Sequence, residues 1–168
     1  MQTSCRLVLA IVFLLPVSAF AQTLQATLSG ANQVPPADPD ATGTATILVS
    51  GTTLTYTITT QNLTLPPLDQ HIHQGAAGVN GPIFIPLPGT WVGGNFSGTT
   101  TASAADIAAV VANPSGFYVN VHTTDFPGGS IRGQLQQISP TIPTLSYANL
   151  LMLAAVLAVA GLLAIRKI

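Results

Sequence analysis

The chain has 168 residues, of which only 5% are charged, and a formal net charge of −1. Between residues 22 and 138 the charged side chains are Asp38, Asp40, Asp69, Asp106, Asp125 and a single Arg132. Without a basic surface to displace counterions, nucleic-acid binding is excluded, and the single cysteine, Cys5, excludes an internal disulfide.

The N-terminus places Arg6 before an apolar run from Leu7 to Leu15, then Pro16 and Ala19-Phe20-Ala21. This is the charged, apolar and small-x-small order of a secretory signal peptide over residues 1–21, to be removed by signal peptidase so that the mature chain begins at Gln22. Cys5 leaves with it and has no lipobox around it. Residues 22–138 are the right size for one domain with its own core.

Within that domain the runs Thr23–Leu28, Gly43–Ser50, Thr53–Leu63, Leu68–His73, Pro82–Leu87, Asn95–Ser103, Phe117–Thr123 and Ser130–Gln137 are β-branched or alternating, and Gly and Pro punctuate them. Ser50-Gly51 reads as a hairpin turn. One helix is expected from Ser103 to Ala112, with Ser103 as N-cap, Asp106 near the positive helix end and Asn113-Pro114-Ser115-Gly116 as the stop. Asp38-Pro39-Asp40 reads as a solvated turn. The expected fold is all-β: an antiparallel, Greek-key-like β-sandwich with one short helix, followed by a C-terminal transmembrane helix.

Residues 139–147, with Pro140 and Pro143, read as a stiff stalk. Residues 148–168 read as a membrane tail: Leu150–Ile165 is apolar throughout and Arg166-Lys167 follow it. At 1.5 Å per residue that run reaches roughly 24 Å against a hydrocarbon core of about 30 Å, and snorkelling basic stems supply the rest. The basic pair assigns the C-terminus to the cytoplasmic side and the domain to the other.

All three histidines lie in two strand segments, Asp69-Gln70-His71-Ile72-His73 and Tyr118-Val119-Asn120-Val121-His122-Thr123. Side chains two apart on a strand share a face, so His71 and His73 point away from Ile72, and Tyr118, Asn120 and His122 point away from Val119 and Val121. The imidazoles thus occupy what read as polar rows. Three imidazoles can hold a transition metal, copper or zinc, with Asp69, Asn120 and Asp125 available to orient them. The competing reading has the histidines bonding backbone carbonyls and Asn120 to fix the loop Gln74–Pro82. Arg132 is expected to pair with Asp69 or Asp125. No GxSxG motif, no cysteine in the domain and no paired glutamates argue against catalysis.

The blocks His71-Ile72-His73-Gln74-Gly75-Ala76-Ala77-Gly78-Val79-Asn80-Gly81-Pro82-Ile83, Tyr118–Thr123, Gly128–Leu135, Leu28–Pro36 and Ala41–Ala45 together resemble the CHRD domain, named for chordin, over roughly residues 24–137. Gln33 departs from the acidic residue usual before Val-Pro-Pro. The resemblance implies a β-rich extracellular module and carries over no catalytic residue. His-x-His on a strand is also similar to copper–zinc superoxide dismutase, but this chain has too few histidines and no disulfide for that enzyme. Ile142-Pro143-Thr144-Leu145, the apolar helix and Arg166-Lys167 resemble the IPTL-type C-terminal sorting signal of Gram-negative bacteria, which implies processing by an exosortase-like membrane enzyme.

The sequence reading is therefore a non-enzymatic binding or structural module. It is exported and then held at the inner membrane with its domain in the periplasm, or sorted to the outer surface or secreted after tail processing. Its partners would be signal peptidase, the sorting enzyme, the membrane through the tail helix, and an extracellular protein or glycan. The alternative is a periplasmic or surface copper or zinc protein using His71, His73 and His122.

Overall fold

The computed structural model describes residues 21–138. The expected signal segment before them, the Ile142–Leu145 motif, and the tail with Arg166 and Lys167 lie outside the described residues. Among the described residues no helix is long and apolar enough to cross a membrane.

Alternation drives the strands. In β3 (Thr53–Gln61) Leu54, Tyr56 and Ile58 are buried while Thr55, Thr57 and Thr59 face solvent, as a period of two on a half-buried sheet requires. β1 (Gln22–Ser29) buries Leu24, Ala26 and Leu28, and β2 (Thr42–Ser50) buries Ala45, Ile47 and Val49. Their registers stack these rows: Leu24 lies opposite Ile47, and Ile47 opposite Tyr56. Each large side chain so buried contributes roughly 1.5–3 kcal/mol. Gly51, at φ +60°, makes the β2–β3 turn, where a residue with a Cβ would be strained.

The remaining strands are β4 (Asp69–Gln74), β5 (Ile83–Pro86), β6 (Thr90–Val92), β7 (Asn95–Thr101), β8 (Phe117–His122), β9 (Ile131–Gln134) and β10 (Gln136–Ile138). All pairings are antiparallel, in the order β5-β4-β8-β9-β1-β2-β3-β7-β6, with β10 also on β1. The expected separate sheets of a sandwich are thus joined by hydrogen bonds into one curled sheet, a half-barrel. The joint is narrow: Ser29 of β1 pairs with Arg132 of β9, while Thr23–Gln25 of the same strand pair with β10. Gly133 sits at this joint, where a Cβ would come within 2.1 Å of the Thr27 carbonyl oxygen. The inner rows of both ends of the sheet, among them Ile72, Val119, Val121, Tyr56 and Ile58, share one core.

The helix α1 (Ala104–Ala112) forms as expected: Ser103 Oγ accepts from the Asp106 N–H at 3.1 Å and donates to the Asp106 carboxylate at 2.7 Å. Ile107 and Val110 turn its inner face to the core. Some details differ from the sequence reading. Ser130–Gln137 is not one strand but β9 and β10, broken where Leu135 turns inward and donates its N–H to the Phe117 carbonyl. Asp38 is not solvated: it is buried, accepting from Ser130 Oγ at 2.9 Å and from the Ala41 N–H at 3.1 Å.

Candidate metal centre

β4 and β8 pair so that His71 lies opposite Asn120, His73 opposite Tyr118 and Asp69 opposite His122. His73 and His122 are thus offset by four positions, roughly 13 Å along a strand, yet their side chains lean together. Ring centroids are 5.6 Å apart for His71 and His73, 5.3 Å for His71 and His122, and 5.8 Å for His73 and His122. The row that reads as polar is not exposed. His71 and His73 are each 7% accessible, and Tyr118 and Asn120 are buried beside them.

Each imidazole is held by one nitrogen. His73 Nδ1 lies 2.9 Å from the Gly81 carbonyl oxygen, and His122 Nδ1 3.0 Å from that of Pro127. A carbonyl only accepts, so both Nδ1 atoms carry the proton and both Nε2 atoms keep a lone pair. His71 Nε2 lies 2.9 Å from Asp69 Oδ2, which by the same logic leaves its Nδ1 as the lone pair. The three nitrogens left over, His71 Nδ1, His73 Nε2 and His122 Nε2, are buried and have no hydrogen-bond partner. One ring nitrogen from each residue lies within 4.8 Å of those of the others. Tetrahedral ligands at about 2.0–2.1 Å from a metal stand about 3.3 Å apart, closer than the 4.8 Å within which these nitrogens lie.

The electrostatics favour the neutral form of two of the rings. Burial holds His73 and His122 below the ordinary histidine range, and the neighbouring imidazoles act in the same direction; the bonds to the Gly81 and Pro127 carbonyls oppose this but are outweighed. A neutral imidazole is the form that ligates metal.

Of the residues expected to orient the rings, Asp69 does so. Asn120 does not: its Oδ1 accepts from Gln33 Nε2 at 2.6 Å. Asp125 instead accepts from Thr64 Oγ1 at 2.7 Å. Nor does Arg132 pair with Asp69 or Asp125; its Nη1 donates to Asn80 Oδ1 at 2.8 Å. The backbone carbonyls that the competing reading expected without naming are those of Gly81 and Pro127; the orienting group absent from the sequence reading is the Tyr118 ring, which stacks on His73 at 5.1 Å and 14°. Gly81 works twice, since its N–H donates to the Tyr118 hydroxyl. His73 therefore does fix the Gln74–Pro82 loop through one nitrogen while the other remains free. Backbone carbonyls leave no residue signature, although the glycine itself was visible.

The fold and site define an antiparallel β-domain that gathers its histidines on one buried face. A family model for the CHRD domain matches residues 24–135, and the chain belongs to that family. The CHRD domain is of extracellular type, which is consistent with export. No curated protein and no solved structure matches the chain.

Proposed function

We propose that this protein is an exported module of the cell envelope whose CHRD domain binds one transition-metal ion, zinc or copper(II), through His71 Nδ1, His73 Nε2 and His122 Nε2. The observation that carries the reading is the set of three buried, unpartnered lone pairs on rings that cluster within 5.3–5.8 Å of one another and whose opposite nitrogens are each already held. Leaving such polar atoms buried without partners costs about 1–3 kcal/mol each, a cost that a bound ion removes. The donor set is all imidazole, with no thiolate, which suits zinc or copper(II) over soft copper(I). The carboxylate of Asp69 behind His71 matches the outer-shell support that metal-binding histidines use. The reading assigns the rings a binding role. The signal segment and the Ile142–Leu145 tail support delivery to the envelope, by signal peptidase first and a sorting enzyme afterwards.

Thermal unfolding of the full-length protein with and without added zinc tests the site. Wild type should gain stability with metal concentration as a ligand that binds only the folded state demands. The variants His73→Ala and His122→Ala, still folded, should gain none. An equal response from all three would sink the proposal.

A further inference from the structure

On the export reading, cleavage after Ala21 makes Gln22 the first residue of the mature chain, and Gln22 is also the first residue of β1. Pairing with β2 begins at Gln22 itself, opposite Val49, and β10 lies beside the next residue, with Ile138 opposite Thr23. The new α-amine therefore belongs to the sheet and not to a tail. Gln22 is half-buried and lines a cleft of about 360 Å³ with Val49, with Thr52 of the β2–β3 turn, and with Ile107, Ala108 and Val111 of α1. Among the described residues no charged side chain lines this cleft, and the carboxylate of α1, Asp106, is engaged by Ser103. An ammonium placed here has no carboxylate to pair with, and burial among apolar side chains disfavours its charged form. Since a free α-amine titrates at about 7.7–8.0, part of it is already neutral and nucleophilic near neutral pH, and burial enlarges that part.

The electrophile is on the same residue. Gln22 Oε1 is buried and has no hydrogen-bond partner, so no bond through that oxygen holds the amide away from the α-nitrogen. We propose that Gln22 is a modification site, at which the mature chain closes into an N-terminal pyroglutamate. The α-nitrogen attacks Cδ of the side-chain amide; the bond from Cδ to Nε2 breaks as the new C–N bond forms, and Nε2 leaves as ammonia with a proton from the α-amine. The step is intramolecular and needs no co-reactant. Its product is uncharged, which suits the apolar cleft, and the lactam nitrogen keeps one hydrogen, as an ordinary strand residue does. An envelope protein closed in this way presents no free α-amine to aminopeptidases.

The inference rests on the export reading, and the test separates the two. Full-length protein is expressed, recovered from the envelope, kept cold at neutral pH and digested, and its N-terminal peptide is read by tandem mass spectrometry. The peptide should begin at residue 22 and be lighter than its glutamine form by the mass of one ammonia. Stepwise chemical sequencing of the denatured protein should be blocked until pyroglutamyl peptidase removes the first residue. Gln22→Ser, which has no side-chain amide to close, should give an open sequence from Ser onward. A peptide that begins at Gln22 with its full mass overturns the proposal and leaves export standing, whereas one that retains Met1 overturns both. A Gln22→Ser protein blocked as completely as wild type would assign the block to other chemistry and also overturn it.

Discussion

His73 and His122 carry their protons on Nδ1 because a carbonyl faces each, and burial resists a second proton on Nε2. Their folded-state pKa values therefore lie below the unfolded value of about 6.5. Below that pH the unfolded chain binds more protons than the folded one, so stability is full above about pH 6.5 and is lost as pH falls from there through the lowered values. Denaturant titrations of metal-free protein at about pH 7.5 and about pH 5 should show a lower midpoint at the acid pH. A midpoint that rises on acidification would contradict the assigned burial. Asp69→Asn keeps an acceptor beside His71 but removes the negative charge, and should weaken zinc binding roughly 10–100-fold without abolishing it; competition with a chromogenic chelator measures this. The histidines were legible at this scale because strand alternation placed His71 with His73 and His122 with Asn120. Their burial was not, because the covering groups, Gly81 on one loop and Pro127 on another, reach them through backbone atoms. Arg132 misled for a related reason: counting charges suggested Asp69 or Asp125 as its partner, whereas its acceptors are a neutral amide and a carbonyl.

Among the elements, the helix and the long strands follow local chemistry closely. Ser103→Ala removes the cap on α1 and should cost about 1 kcal/mol in chemical denaturation, leaving zinc binding unchanged since α1 supplies no ligand. Gly133→Ala should be far more damaging, above about 3 kcal/mol or failing to fold, because its added methyl meets the Thr27 backbone across the joint. Comparing the midpoints of the two variants in one denaturant series checks both. β6 escaped the sequence reading because Thr90-Trp91-Val92 is too short to show a period. The break between β9 and β10 escaped it because Leu135, with no Gly or Pro beside it to mark a bulge, continues the alternating run.

Across the described residues, the antiparallel β character and the single short α-helix were readable from spacing. The continuity of the sheet was not, since the Ser29–Arg132 pair that closes it joins residues about a hundred positions apart and has no local signature. At this scale export also makes a prediction: intact-mass analysis of protein recovered from the envelope should show a chain beginning at Gln22, and an uncleaved Met1 would contradict the signal-peptide reading.

The way β1 divides its far edge between β9 and β10 sets the order in which the domain can be completed. β2 can cover one edge of β1 as soon as both strands exist, but the other edge is completed by the last strand, with Thr23 beside Ile138, so it stays open until nearly the whole domain has been made. A domain of this kind closes only when its C-terminal strand is in place.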